Sequence, residues 1–160
     1  MIDKKHIGKV IADFRTSAPT SQLRFFAKAT GETRAIYTDE AAARDAGHRG
    51  LPLPPTFLFS LELVNPPSGW REELGIRTER ILHGEQSFTY HRMAYAGDVL
   101  HFRTIITDIY EKRNGALDFV VRETRVTNQD NEHVADLRSV LVPRNGEAEG
   151  CPEYAAVRTE

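Results

Sequence analysis

The run Thr56-Phe57-Leu58-Phe59-Ser60-Leu61-Glu62-Leu63-Val64 decides the fold of this chain. It follows the turn-rich segment Gly50-Leu51-Pro52-Leu53-Pro54-Pro55, whose prolines fix φ and remove backbone donors, so a new element has to begin beyond it. Thr56 is a residue type that caps helix starts. Phe57, Leu58, Phe59, Leu61, Leu63 and Val64 then put apolar groups on nearly every side of a helix, and such a helix is a buried one. Ser60 and Glu62 interrupt the run, which is far too short to span a bilayer. A short buried helix needs a larger apolar surface to lie against.

That surface is written on the C-terminal side. The linker Asn65-Pro66-Pro67-Ser68-Gly69-Trp70 is punctuation, with Trp70 expected to pack on an edge. From Ile81 the period changes to two. Leu82, Gln86, Phe88 and Tyr90 oppose His83, Glu85, Ser87, Thr89 and His91; beyond the turn Ala96-Gly97-Asp98, Leu100, Phe102, Thr104 and Ile106 alternate with His101, Arg103, Ile105 and Thr107. Arg113-Asn114-Gly115 is a hairpin signal, because Asn-Gly accepts the positive φ of a type I′ turn. Leu117, Phe119 and Val121 continue a third strand, and a turn over Asn128–Asn131 leads to a fourth over His133–Val142.

On the N-terminal side, Ile7 to Phe14 suit an opening strand or turn. Thr20 can cap a helix whose Leu23, Phe26, Ala27 and Thr30 share a face, with Gly31 as its stop. An acid-led, alanine-rich run from Asp39 to Ala46 predicts a second short helix. Long antiparallel strands behind one very apolar helix give an α+β domain. A sheet wrapped around a central helix is the hot-dog architecture, expected here as one domain over 1–144, with a Gly-, Glu- and Ala-rich tail over 145–160 that frays.

Composition narrows the function classes. The 160 residues hold 21 Lys and Arg against 23 Asp and Glu, a formal charge of −2. That balance argues against a general electrostatic grip on nucleic acid or an anionic membrane, and leaves room for a local basic pocket. The one cysteine, Cys151, excludes an internal disulfide and a multi-cysteine zinc site. No metal or other cofactor is expected, since nothing in the spacing assembles His91 or His101 with other ligands. With no apolar run of signal-peptide length at the start, a soluble cytoplasmic protein is expected.

Three blocks carry a family resemblance. Phe26-Ala27-Lys28-Ala29-Thr30-Gly31-Glu32 with Tyr37-Thr38-Asp39 is the first, and Gly50 through Phe57 the second. The third is Leu82-His83-Gly84-Glu85-Gln86-Ser87-Phe88 with Tyr90-His91-Arg92 and Ala96-Gly97-Asp98. Together they resemble the MaoC-like hydratases and dehydratases, in the N-terminal, fatty-acid-synthase-type dehydratase branch, over roughly Ile7 to Arg144. The resemblance implies an acyl thioester of coenzyme A or acyl carrier protein as substrate, and a second hot-dog domain as partner, in a homodimer or a heterodimer.

Adding water to an enoyl thioester needs a base for the water, an acid for the α-carbon and a donor for the thioester oxygen. In the active branch an aspartate after the first helix and a histidine five residues on supply the acid and base. The matching positions here are Glu32 and Tyr37, and Arg34-Ala35 replaces the usual Asn-Pro pair. Tyr37, with an ordinary pKa of about 10, exchanges protons poorly at neutral pH. Where relatives open the central helix with His-Gly, this chain has Pro55-Thr56, and the amides of Thr56 and Phe57 stand at a helix start, where free donors point outward.

The resemblance therefore implies a substrate-binding subunit of an (R)-specific enoyl-thioester hydratase or 3-hydroxyacyl-thioester dehydratase with a depleted dyad. The alternatives are a self-sufficient hydratase using Glu32, or using His83 with Glu85 two residues along one strand face; an acyl-CoA thioesterase; and a ligand-binding regulator. His48 reads as a solvated loop histidine.

Overall fold

A computed structural model describes residues 1–66 and 69–145. Five strands form one antiparallel sheet in the order β1-β3-β4-β5-β2: β1 (Val10–Ser17), β2 (Ile81–Tyr90), β3 (Val99–Lys112), β4 (Leu117–Thr127) and β5 (His133–Pro143). Among the described residues four α-helices accompany them, α1 (Thr20–Thr30), α2 (Glu40–Asp45), α3 (Phe57–Val64) and α4 (Trp70–Glu73). This is the α+β hot-dog fold, with α3 packed on the sheet.

The alternation read along β3 is the one that folds: Leu100, Phe102, Thr104 and Ile106 are all fully buried. It breaks at a bulge between Ile106 and Asp108, so the next buried residue is Ile109. The β3–β4 loop turns one residue earlier than its Asn-Gly pair suggests, with Arg113, Asn114 and Gly115 all at positive φ. The main core joins Leu23 and Ala27 of α1, Phe57, Leu58 and Leu61 of α3, and Phe102, Val126 and Leu137 of the sheet. A second cluster holds Trp70, Ile106, Val120 and Leu141, so Trp70 is a core residue rather than an edge residue.

Two expectations about helix starts need correction. Thr20 lies inside α1, which Pro19 precedes without a side-chain cap; Thr56 stands before α3, yet its side chain makes no capping bond. Nor is α3 buried all round. Leu63 and Val64 are 61% and 69% exposed, while Glu62 is buried, because only the helix face toward the sheet is covered within the chain. Of the tail expected from 145, Asn145 is described and is anchored: its Nδ2 donates to Gly115 O and to Asp118 Oδ2. Residues 146–160 lie outside the described residues. No helix among those described is long and apolar enough to cross a membrane.

Candidate functional site

Glu32 is placed by the end of α1. Gly31 takes φ 71°, and the N–H groups of Gly31 and Glu32 close back on the carbonyls of Lys28 and Ala27, a Schellman stop that only a residue at ease in the left-handed region makes cheaply. Arg34, two residues on, then grips the carboxylate. Its backbone N–H and Nε donate to Oε1 at 2.9 and 3.0 Å, and Nη2 donates to Oε2 at 2.6 Å. The side-chain and backbone hydrogen bonds from Arg34 pull the Glu32 pKa down to about 2. Tyr37 ends a short 3-10 turn, buried to 6% exposure, with the Arg34 guanidinium 4.9 Å from its ring centroid.

Pro54-Pro55-Thr56-Phe57 is a tight turn closed by Phe57 N–H donating to Pro54 O at 3.1 Å. Its third residue, Thr56, sits at φ 69°, ψ −9°, the conformation a type II turn demands there and one that glycine normally supplies. A β-branched residue at positive φ is a genuine outlier, worth about 1–3 kcal/mol of strain. The two amides expected to be free are both engaged. Thr56 N–H donates to the Tyr90 hydroxyl at 3.0 Å, so a thioester oxygen reaches it only by displacing that phenol. Sequence reasoning missed Tyr90 because it comes from the far edge strand β2.

Glu32 and Thr56 line one open pocket of about 280 Å³, shared with Phe26, Thr30 and the two prolines. Tyr37 does not line it. The structure thus brings together one of the two dyad positions and the helix start.

His83 and Glu85 do not share a face. Gly84 is the extra residue of a β-bulge: His83 pairs with Leu141 and Glu85 with Val140, adjacent residues whose side chains leave opposite sides of the sheet. A Cβ on Gly84 would stand 2.8 Å from Val142 Cγ2 and 3.2 Å from Val140 O, so glycine is what allows the close approach. His83 turns toward α3, its ring 5.3 Å from that of Phe59 and its Nε2 3.1 Å from the backbone oxygen of Glu85. Glu85 instead accepts from Arg138 Nη1 at 2.7 Å on the outer face. The expected acid–base pair is not made.

Four other histidines, His48, His91, His101 and His133, stand against carboxylates or a phenol. His48 Nδ1 lies 3.5 Å from the Tyr95 hydroxyl, and His101 Nε2 lies 2.7 Å from Asp13. The expectation that nothing assembles His91 with other ligands is overturned. Asp136 joins His91 and His133, each Nε2 at 2.8 Å, and the three ligand atoms fall within 4.8 Å of one another, a group that could hold a metal ion. The two hydrogen bonds already satisfy both imidazoles on that side, and they hold Asp136 below the ordinary aspartate pKa against the opposing effect of burial.

A family model for the FAS1-like dehydratase domain region matches residues 5–137. A UPF0336 protein of Leifsonia xyli subsp. xyli is 37% identical over 133 residues, covering 79% of this chain and 84% of that protein. Among solved structures, a chain of the HadBC (3R-hydroxyacyl-ACP dehydratase) complex from Mycobacterium tuberculosis superposes with a TM-score of 0.74 at 25% identity, over 86% of this chain and 96% of that one. A MaoC-like dehydratase superposes with a TM-score of 0.75 over 88% of this chain and 43% of that one, and at 24% identity it shows the fold alone.

Proposed function

We propose, because this chain belongs to the FAS1-like dehydratase family of hot-dog hydratases and dehydratases, that it is the acyl-thioester-binding subunit of an (R)-specific enoyl-thioester hydratase or 3-hydroxyacyl-thioester dehydratase, with the acid and base on a second hot-dog chain. The observation that carries this is the state of Glu32. A general base works best with a pKa near the operating pH, and a carboxylate held near 2 by three Arg34 donors has little appetite for the proton of water. Tyr37 is buried and outside the pocket, and Glu32 is the one titratable residue among those that line it.

The need for a partner has independent support. β2 is an edge strand whose Leu82 and Tyr90 are about half exposed, and Leu63 and Val64 of α3 are more exposed still. An apolar edge with unpaired backbone groups invites a neighbouring sheet. The similar chain in HadBC belongs to a two-subunit complex. The substrate would be an acyl thioester of coenzyme A or acyl carrier protein, entering near Glu32 and Thr56.

Hydration of crotonyl-CoA tests the assignment. The purified chain alone is expected to be inactive, and a co-expressed MaoC-like chain that carries an Asp/His dyad is expected to confer turnover. Full activity without a partner removes the assignment. The self-sufficient alternative keeps one observation in its favour, the placement of Glu32 and Thr56 in one pocket. Glu32→Gln separates the two: a loss of about tenfold or more in turnover supports self-sufficiency, and retention within about twofold supports the binding subunit.

A further inference from the structure

A one-residue bulge gathers three side chains at the start of β5. Residues three apart on a regular strand point to opposite faces. Here Val126 pairs with Ala135 and Thr127 with His133, so Val134 is the extra residue, and His133 comes round to the face of Asp136. Val134 and Ala135 are both buried. The carbonyl of Val134 also accepts the N–H of His91 at 2.8 Å and that of Arg92 at 3.1 Å. Those bonds lay the end of β2 against the bulge and bring His91 to the same carboxylate.

The side chains converge. His91 Nε2 lies 2.8 Å from Asp136 Oδ2 and His133 Nε2 lies 2.8 Å from Asp136 Oδ1, with the two ring centroids 4.1 Å apart. All three ligand atoms fall within 4.8 Å of one another, on residues that remain open to solvent. Hydrogen bonding alone contributes little here. Exposed ion pairs are worth about 0–1 kcal/mol, and two imidazoles held side by side repel one another once both are protonated. A divalent ion engages all three groups at once.

The donor set selects the ion. Two imidazole nitrogens and one carboxylate oxygen suit zinc, cobalt, nickel and copper(II), whereas magnesium and calcium take oxygen donors. The surroundings select in the same direction. Arg125 stands opposite Asp136 on β4, and Arg92 follows His91, paired with Glu132 at 3.4 Å. With cations on two sides, charge alone does not draw a metal ion in, and nitrogen coordination has to supply the affinity.

We propose that His91, His133 and Asp136 form a surface site for a divalent transition-metal ion, zinc foremost, with water completing the coordination. Ligands about 2.0–2.2 Å from a tetrahedral centre stand about 3.3 Å apart, so each N···O contact opens by about 0.5 Å while the imidazoles close in, adjustments that side-chain torsions supply. Each ring releases its Nε2 proton or carries it on Nδ1. His91 directly follows Tyr90, whose hydroxyl accepts from the Thr56 N–H, so the ion clasps to β5 the strand end that reaches the start of α3. None of the three ligands lines the pocket at Glu32 and Thr56, and the inference does not depend on the thioester assignment.

Zinc chloride titrated into the full-length chain, free of any purification tag and stripped with chelator, tests this by calorimetry and by NMR of the imidazole carbons. A single equivalent of Zn²⁺ is expected to bind. The His91 and His133 resonances should move together, and those of His101, whose one partner is Asp13, should stay. Magnesium chloride should produce no such shift. His91→Ala and Asp136→Asn should each weaken zinc binding at least about tenfold, whereas His101→Ala and Cys151→Ser should leave it unchanged. Asp136→Asn preserves the shape of the side chain, and the resonance shifts of the unaltered chain carry the test if both ligand variants fail to fold. Absence of zinc binding, binding that leaves the His91 and His133 resonances in place, an affinity indifferent to both ligand substitutions, or binding lost in Cys151→Ser overturns the inference. An equal response to magnesium overturns it too.

Discussion

Glu32 and Thr56 are each shaped by a local conflict. The Glu32 carboxylate belongs to Arg34, and its lowered pKa has a consequence for acid stability. Its folded pKa lies below the unfolded value, so the stabilisation is present above pH about 4.5 and is lost as pH falls toward about 2. In an NMR titration the Glu32 carboxyl carbon should show a midpoint near 2 in the native chain, and one raised toward the ordinary glutamate value in Arg34→Ala, which removes the guanidinium but keeps the backbone donor. An unchanged midpoint would mean that Arg34 is not the cause. Thr56 stores backbone strain that only glycine escapes, and Thr56→Gly should raise stability in urea by about 1 kcal/mol despite glycine's entropic cost. Its amide is capped by Tyr90, so Tyr90→Phe should leave acyl-CoA binding intact or tighten it a few-fold. Loss of binding would show instead that the phenol itself serves the thioester oxygen.

Among the elements, β2 shows how one glycine redirects a strand. The bulge at Gly84 sends His83 inward against Phe59 and Glu85 outward to Arg138, so the two serve different faces. Gly84→Ala has to push Val142 or the β5 backbone aside, and a loss of about 1–3 kcal/mol in denaturant unfolding is expected. A neutral substitution would contradict the close approach of β2 and β5. Helix α3 carries the second lesson. Glu62 follows Leu58 by four residues, so helical spacing alone puts it on the buried side that Leu58 occupies. That signal was present in the sequence, where Glu62 reads only as an interruption of an apolar run.

For the whole molecule, the sheet has two edges, β1 and β2; Leu82 and Tyr90 are exposed on β2 and Leu63 and Val64 at the end of α3, while Phe25 of α1 and Val10 of β1 are exposed elsewhere. A second hot-dog chain laid along β2 would pair the open backbone and cover Leu82 and Tyr90. Light scattering at micromolar concentration is expected to report a dimer, either of the chain itself or of the chain with a MaoC-like partner. A mass near 18.1 kDa for the isolated chain excludes the homodimer, and indifference to every co-expressed partner would remove the assembly altogether.

The sequence by itself determined the elements: the short apolar helix after Pro54-Pro55, the alternation from Leu100 to Ile106, the glycine stop at Gly31 and the turns between strands. All of these depend on contacts within a few residues or on a period that repeats along one segment. It also showed tyrosine at position 37, where the family resemblance led to the expectation of a histidine, since residue identity needs no coordinates. What the tertiary structure decided are the relations between distant segments. Tyr90 reaches Thr56 across 34 positions of chain, Glu62 meets Thr124 across 62, and His91 meets Asp136 across 45. No periodicity encodes such pairings. They follow from strand order and from one-residue bulges, each of which exchanges the two faces of a strand and so settles which side chains reach the pockets.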